Sequence, residues 1–358
     1  MAVLRQDRMS KEERMAALLG RHALDRVPVW GILGTFAGAN VGYTTEELFA
    51  DFTGEKAIQA FEWTTRQYGF QDLPMTGYAS LGAWEFGGAI AAPSGEFSQA
   101  VTVTRHPATT EEAAWTIELP DVAKAGIIPI SMQRSKTLAA AGAPMLMLLL
   151  VGSWDVASSI CSPEMLCRWA LRRPELTHRV LRLATDFLLE VSRLWADSFG
   201  PERLLVFSTH AQTSNQVISP KMFQQYCLPY IQETHEKMLG MGYRHFLCHI
   251  CGEQNMNLPY WAQIPMGDPG IASFGHEVDL ETASRYFPDD IIMGNIEPAV
   301  IQMGTPQEVY EQARACIERG RKHPGGFMLA PGCEMPPKAP PFNVWTIFRA
   351  VSEFGWYE

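Results

Sequence analysis

The sequence has no apolar run long enough to cross a bilayer. Its longest, residues 143–151 (Ala-Pro-Met-Leu-Met-Leu-Leu-Leu-Val), falls far short of the roughly 20 residues a spanning helix needs and reads as a buried strand. Positive charge is scarce. The formal net charge is -10, so the surface repels phosphate backbones and nucleic acid is not an expected partner. A secretory leader is missing too: the start, MAVLRQDRMSKEER, is charged and has no apolar centre, which predicts a cytoplasmic protein. No disulfide framework is evident, because the seven cysteines are odd in number and scattered, leaving them for packing or for metal. A glycine-rich phosphate fingerprint is also absent. The segment Gly31-Ile32-Leu33-Gly34-Thr35-Phe36-Ala37-Gly38 does not match one, which argues against an open doubly wound sheet. Repeats, low-complexity tracts and flexible linkers are lacking as well. The proline-rich stretch 336–341 reads as a stiff loop.

What is present is a chain of 358 residues, 47% hydrophobic and 19% charged, which suffices for one large core. Residues 9–22 have apolar positions at helical spacing, and 27–30 (Val-Pro-Val-Trp) read as a short buried strand. Thr44 with Glu47 three residues on marks a helix start. Residues 82–106 alternate around Pro93-Ser94-Gly95, which predicts a β-hairpin. From there on, strand-length apolar runs alternate with helical stretches. Strands are predicted at 145–151, 204–208, 246–249, 271–274, 291–293 and 327–329. Helices are predicted at 163–198 (broken near Pro174), 220–241, 280–287 and 306–321. Such alternation implies parallel strands joined by right-handed crossovers. The expected fold is α/β: a single domain, residues 1–358, forming a (β/α)8 TIM barrel with N-terminal helical and β-hairpin excursions.

In such a barrel, residues just after the strands face the mouth. Three strand ends carry metal-binding chemistry: Cys248-His249-Ile250-Cys251-Gly252-Glu253, Gly275-His276-Glu277, and Ala330-Pro331-Gly332-Cys333-Glu334. Residues two apart on a strand face one side, so His249 and Cys251 converge while Cys248 and Ile250 point into the wall. Cys333 arrives from a distant strand behind a glycine. One imidazole and two thiolates form a zinc-type set with a fourth position open, as catalytic zinc sites require.

The segments Leu247–Gly252, Gly294–Pro298, Gly304–Val309 and Leu329–Pro336, together with Ile218–Phe223 and Leu228-Pro229-Tyr230, resemble the uroporphyrinogen decarboxylase superfamily. The likeness runs from about residue 145 to the end and is weaker before it. The His-x-Cys and the later Pro-Gly-Cys point to the zinc-dependent, corrinoid-linked methyltransferase branch. The resemblance implies a (β/α)8 barrel, zinc at its mouth and a cobalamin-carrying partner protein. Glu277 is the first choice for the fourth zinc position in the resting enzyme, with Glu334 and Glu253 as alternatives. The decarboxylases carry an arginine-containing segment near their N-terminus to hold a polycarboxylate. The matching residues 30–36 here have no arginine, and Lys221 and Lys338 are the nearest cations expected. Decarboxylation is therefore disfavoured.

Mouth segments rich in apolar and neutral polar residues (Trp30, Phe36, Trp84, Trp154, Phe207, Met256 and Met335) suggest a flat neutral ring as substrate. The resulting expectation is O-demethylation of a methoxylated aromatic. Zinc would act as Lewis acid on the ether oxygen, and the Co(I) corrinoid of the partner would accept the methyl group. His210 is the candidate general acid and Asn295 the candidate support of the site, while Asp155 and Gln212 are candidate substrate contacts. The alternative is a thiol substrate of the coenzyme M type, with zinc binding the thiolate. A purely structural zinc fits less well, since such sites close with four protein ligands in local cysteine pairs.

Overall fold

The computed structural model describes residues 6–95 and 97–357. Residues 1–5 of the charged N-terminal stretch, Glu96 of the hairpin loop and Glu358 lie outside the described residues. The hairpin is antiparallel, β1 (Ala89–Ala91) against β2 (Thr102–Arg105), and stands apart from the main sheet. That sheet has six parallel strands in sequential order: β3 (Leu146–Val151), β4 (Leu204–Thr209), β5 (His245–Ile250), β6 (Ile271–Phe274), β7 (Ile291–Ile296) and β8 (Phe327–Pro331). Every predicted strand has its counterpart, and the ends shift by no more than a few residues.

The wall continues beyond β8. Val29 bridges Leu329 in parallel, with Trp30 N donating to Leu329 O at 2.8 Å and Leu329 N to Pro28 O at 2.9 Å. Gln71 N then donates to Val29 O at 2.8 Å. Segments 27–30 and 71–77 thus occupy the first two strand positions, and Gly77 abuts Leu149 of β3. The chain folds as a (β/α)8 TIM barrel.

Alternation along the strands divides the core. Met147, Leu205, Leu247, Ile271, Met293 and Met328 fill the barrel interior together with Trp30. Val206, Phe246, Cys248 and Phe274 face the helices. A parallel sheet must be covered on both faces, which explains why β3 is apolar throughout. Local signals place the helices. Ser10 with Glu13 and Thr44 with Glu47 form capping boxes, starting Lys11–Leu19 and Thr45–Ala50. Pro174 separates Pro163–Arg172 from Pro174–Phe199. The stretch expected as one helix at 220–241 contains a π turn at Phe223–Cys227 before Leu228–Gly240. No helix among the described residues is long and apolar enough to cross a membrane.

One buried ion pair ties the N-terminal helix to the barrel. Asp25 accepts from Arg14 Nε at 2.7 Å and Nη2 at 2.9 Å, and from the backbone N–H groups of Arg8, Met9 and Arg26. Burial opposes ionisation of Asp25, but Arg14 and the amides of Arg8 and Met9 outweigh it and hold the carboxyl well below the usual range. Removing Asp25 leaves the buried guanidinium with the half-exposed Asp7, 3.2 Å from Arg14 Nη2, as its remaining carboxylate. Asp25→Ala should therefore lower unfolding stability at pH 7 by about 3–5 kcal/mol. A depressed carboxyl stabilises above its unfolded-state value and loses that contribution as pH falls through the folded value. The gap between wild type and variant should thus narrow below about pH 4. Denaturant or thermal unfolding at both pH values checks this, and equal midpoints at pH 7 would count against it.

Candidate metal centre

His249 is the last residue but one of β5 and points into the barrel, and Cys251 follows it on the same side. Cys333 comes from the loop after β8. Gly332 lets that loop pass close to its neighbour, because a Cβ there would stand 2.8 Å from His276 N. One ligand atom of each of His249, Cys251 and Cys333 lies within 4.8 Å of the others. The two sulfurs are 3.9 Å apart. Two thiolates on one tetrahedral zinc, with Zn–S about 2.3 Å, are separated by about 3.8 Å. His249 Nδ1 contacts Ser273 Oγ of β6 at 3.0 Å, while Nε2 is buried without a partner. An orphaned imidazole nitrogen beside two soft sulfurs is the donor set zinc takes, so the residues fit the ion. The two sulfurs lie within hydrogen-bonding reach of one another. The Cys251 contact pulls the Cys333 thiol well below its ordinary range, and the same contact pushes Cys251 up.

The carboxylates expected at the fourth position differ. Glu277 Oε2 is buried without a hydrogen bond and lies 3.6 Å from His276 Nδ1, and it does not join the tight triad. Glu334 lines the cavity beside Cys333. Its Oε1 accepts from Thr35 N at 2.9 Å and Thr35 Oγ1 at 3.0 Å, and burial raises its carboxyl to about 7. Glu253 braces a turn, accepting from Asn255 N at 2.8 Å and Nδ2 at 2.7 Å. Asn295 donates to Gly275 O at 2.9 Å and Val278 O at 2.7 Å, pinning the loop that carries Glu277.

A cavity of about 280 Å³ opens above the triad. Of the expected substrate contacts, it is Phe207 that lines it. Trp30 sits in the barrel interior, and Phe36, Trp154 and Met335 pack in the core between strands and helices. Strand-end position alone does not expose a side chain to the mouth. At these residues the pleat and the following helix turn the side chain away. Asp155 is buried, with Oδ1 accepting from Gln212 N at 2.9 Å, and neither residue lines the cavity. Trp84 packs half-buried against the core, and Met256 is exposed. His210, expected as the general acid, faces the helical layer, where its ring meets Trp261 edge-on.

The cavity wall instead includes Phe49, Met75, Tyr78, Leu149, Val101 and Arg134. Neither Lys221 nor Lys338 belongs to it. The hairpin loop closes one side, with Gln99 Nε2 donating to Met335 O at 3.3 Å. Arg134 is 7% exposed, and its guanidinium caps carbonyls: Nε donates to Asp51 O, and Nη2 to Leu48 O, Phe49 O and Asp51 O. Sequence reasoning missed Arg134 because it lies mid-helix (Ile128–Ala140), far from any strand end. The available signal was a lone arginine among the apolar and small residues buried on that helix.

The chain matches the uroporphyrinogen decarboxylase (URO-D) family over residues 10–354. It is 28% identical over 175 residues to a methylated-thiol–coenzyme M methyltransferase of Methanosarcina mazei, covering 48% of this chain and 44% of that protein. It is 25% identical over 181 residues to a methylcobamide:CoM methyltransferase of Methanosarcina acetivorans, covering 50% of each. The chain thus spans about half the length of these curated relatives. A solved methyltransferase structure from Methanosarcina mazei superposes with a TM-score of 0.79 at 19% identity, over 97% of this chain and 99% of that one. At that identity the likeness concerns the fold.

Ser273 orients His249 through its free ring edge. Losing such a bracing contact typically weakens metal binding 10- to 100-fold. Ser273→Ala should therefore bind zinc about 10- to 100-fold more weakly in competition with a chelating dye, with little change in unfolding midpoint. An unchanged affinity would mean that the hydroxyl does not orient the ligand.

Proposed function

The chain belongs to the uroporphyrinogen decarboxylase family, and from that premise we propose that it is a zinc-dependent methyltransferase working with a corrinoid-carrying partner protein on a small thiol. The observation that carries this reading is the buried, partnerless Nε2 of His249 beside two sulfurs 3.9 Å apart, under an open cavity. A zinc ion held by His249, Cys251 and Cys333 would supply Lewis acidity that keeps a bound thiol ionised at neutral pH. The chain's own residues do the rest. Phe207, Leu149, Met75 and Val101 keep water from the sulfur and hold the substrate by apolar contact. Ser273 fixes the imidazole, and Asn295 fixes the loop of Glu277. The corrinoid approaches from the strand C-terminal end, where the cavity lies.

A thiol is favoured over an aromatic ether on two counts. The aromatic set that argued for a flat ring is mostly core, and the wall includes a cationic residue, Arg134, whose charge favours an anionic group on the substrate. The relatives named above act on coenzyme M, which agrees with that chemistry. The methoxylated aromatic stays as a second reading, supported by Phe49, Tyr78 and Phe207 in the wall. Neutral methyl donors would then be preferred to anionic ones.

The test is spectroscopic: zinc-loaded enzyme is mixed with a methyl-Co(III) corrinoid protein and a panel of thiols, which would take the methyl group and leave Co(I), or with the Co(I) form and a panel of methoxybenzenes, which would give the methyl group and leave phenols, and the change in corrinoid absorption is followed. Turnover is expected with a sulfonated or carboxylated thiol, at least about tenfold better than with its neutral analogue, as one charge-assisted contact implies. Turnover confined to methoxybenzenes would replace the first reading by the second. Cys333→Ala should lose both bound zinc and turnover, and a metal-free variant that still turned over would remove zinc from the chemistry.

A further inference from the structure

The outward face of the same strands carries a second set of soft donors. Side chains alternate along β4 and β5, so Phe207, His249 and Cys251 face the cavity while Ser208, His210 and Cys248 face the helical layer. There they meet His235 of the helix Leu228–Gly240. One ring nitrogen each of His210 and His235 and the sulfur of Cys248 lie within 4.8 Å of one another. All three residues are buried, at 1%, 2% and 0% exposure.

His235 is held as a metal ligand is held, and His210 is fixed beside it. His235 Nδ1 donates to Pro265 O at 2.8 Å, and its Nε2 is buried without a partner. Metal-bound histidines carry this arrangement: the far nitrogen anchored to a carbonyl, the near one free. The ring is clamped on Phe246, with centroids 4.1 Å apart. His210 Nε2 contacts Ser208 Oγ at 2.8 Å, and its Nδ1 is also buried without a partner. Behind that Nδ1 lies Asp155 Oδ2, a further partnerless buried atom. A Cβ on Gly152 would stand 2.5 Å from the one and 2.8 Å from the other. A core histidine that serves only packing satisfies its nitrogens, since each orphaned polar atom costs about 1–3 kcal/mol. Here the orphaned Nε2 belongs to His235, which shares a buried cluster with the His210 imidazole and the Cys248 thiol.

We propose that His210, His235 and Cys248 form a second metal site, enclosed between the strand wall and the helices, for a borderline-soft divalent cation such as zinc. Two imidazoles and one thiolate are ligands zinc accepts, and Ser208 Oγ on the same face offers a fourth, oxygen donor. Binding exchanges the thiol proton of Cys248, released to solvent, for the cation. None of the three residues lines the cavity, so the ion has a structural role. Its place defines that role. Cys248 precedes His249 in β5, and His210 N donates to His249 O at 3.1 Å. The enclosed ion thus fixes the backbone from which the cavity-facing ligands project.

Metal analysis of the full chain after zinc loading and gel filtration tests this. Wild type should hold two zinc per chain. Cys333→Ala should keep one, and Cys248→Ala and His235→Phe should each keep one; His235→Phe retains a flat ring in the packed layer. Cadmium-113 NMR of the cadmium-substituted protein separates the sites by sulfur count. Two resonances are expected, and Cys248→Ala should remove the single-sulfur one. One zinc per chain in wild type that is lost in Cys333→Ala overturns the proposal, whatever the variants' stability. A second zinc that survives both Cys248→Ala and His235→Phe also overturns it.

Discussion

Two sulfur atoms 3.9 Å apart in a largely buried setting cannot both carry a full charge unless a cation stands between them. The loop after β8 and the loop after β5 are 82 residues apart in sequence, so no local turn sets that distance. The register of β5 through β8 sets it. Each intervening strand adds a brace: β6 supplies Ser273 to the imidazole, and β7 supplies Asn295 to the loop carrying Glu277. A slip of one residue in any of these pairings would turn the donors from the cavity to the helical layer. Tight packing of the barrel interior by Leu247, Ile271, Met293 and Met328 opposes such a slip.

The parts of the site legible in the sequence were those fixed by strand periodicity. His249 and Cys251 share a face because they are two apart, and Cys333 follows a glycine at the end of another strand. The six strands of the main sheet were legible because each is an apolar run of strand length between helical stretches. The cavity wall was not, because it depends on which way each chain segment leaves its strand. Trp30 and Met335 lie close to strand ends as Phe207 does, yet one fills the barrel and the other packs in the core between strands and helices. Arg134 and Phe49 come from helices of the N-terminal portion, whose place over the mouth follows from tertiary contacts alone. His210 looked like a mouth residue by position. The pleat that sends Thr209 inward sends His210 outward.

The two faces of β5 carry opposite demands. On the inner face His249 leaves a nitrogen free under an open cavity, which suits an ion that must exchange ligands. On the outer face Cys248 lies among buried imidazoles with no opening, which suits an ion that stays. A single strand can hold both because alternation separates them by one residue while the backbone joins them rigidly.

The cavity is also polarised. On the triad side stand the cysteines and Glu334, whose carboxyl is lifted to about 7 by burial and is fixed by Thr35. On the side of the helices Thr45–Ala50 and Ile128–Ala140 stands Arg134. Its partners are backbone carbonyls at a helix C-terminus, where the helix dipole favours a cation. Burial opposes the charge of this guanidinium, and the nearby Asp51 carboxylate supports it. In an apolar cavity attraction between charges is weakly screened, and the proposed preference for an anionic thiol rests on that. A molecule with a soft nucleophile at one end and a negative charge at the other satisfies both sides. A neutral ring meets the apolar wall and leaves the arginine unanswered.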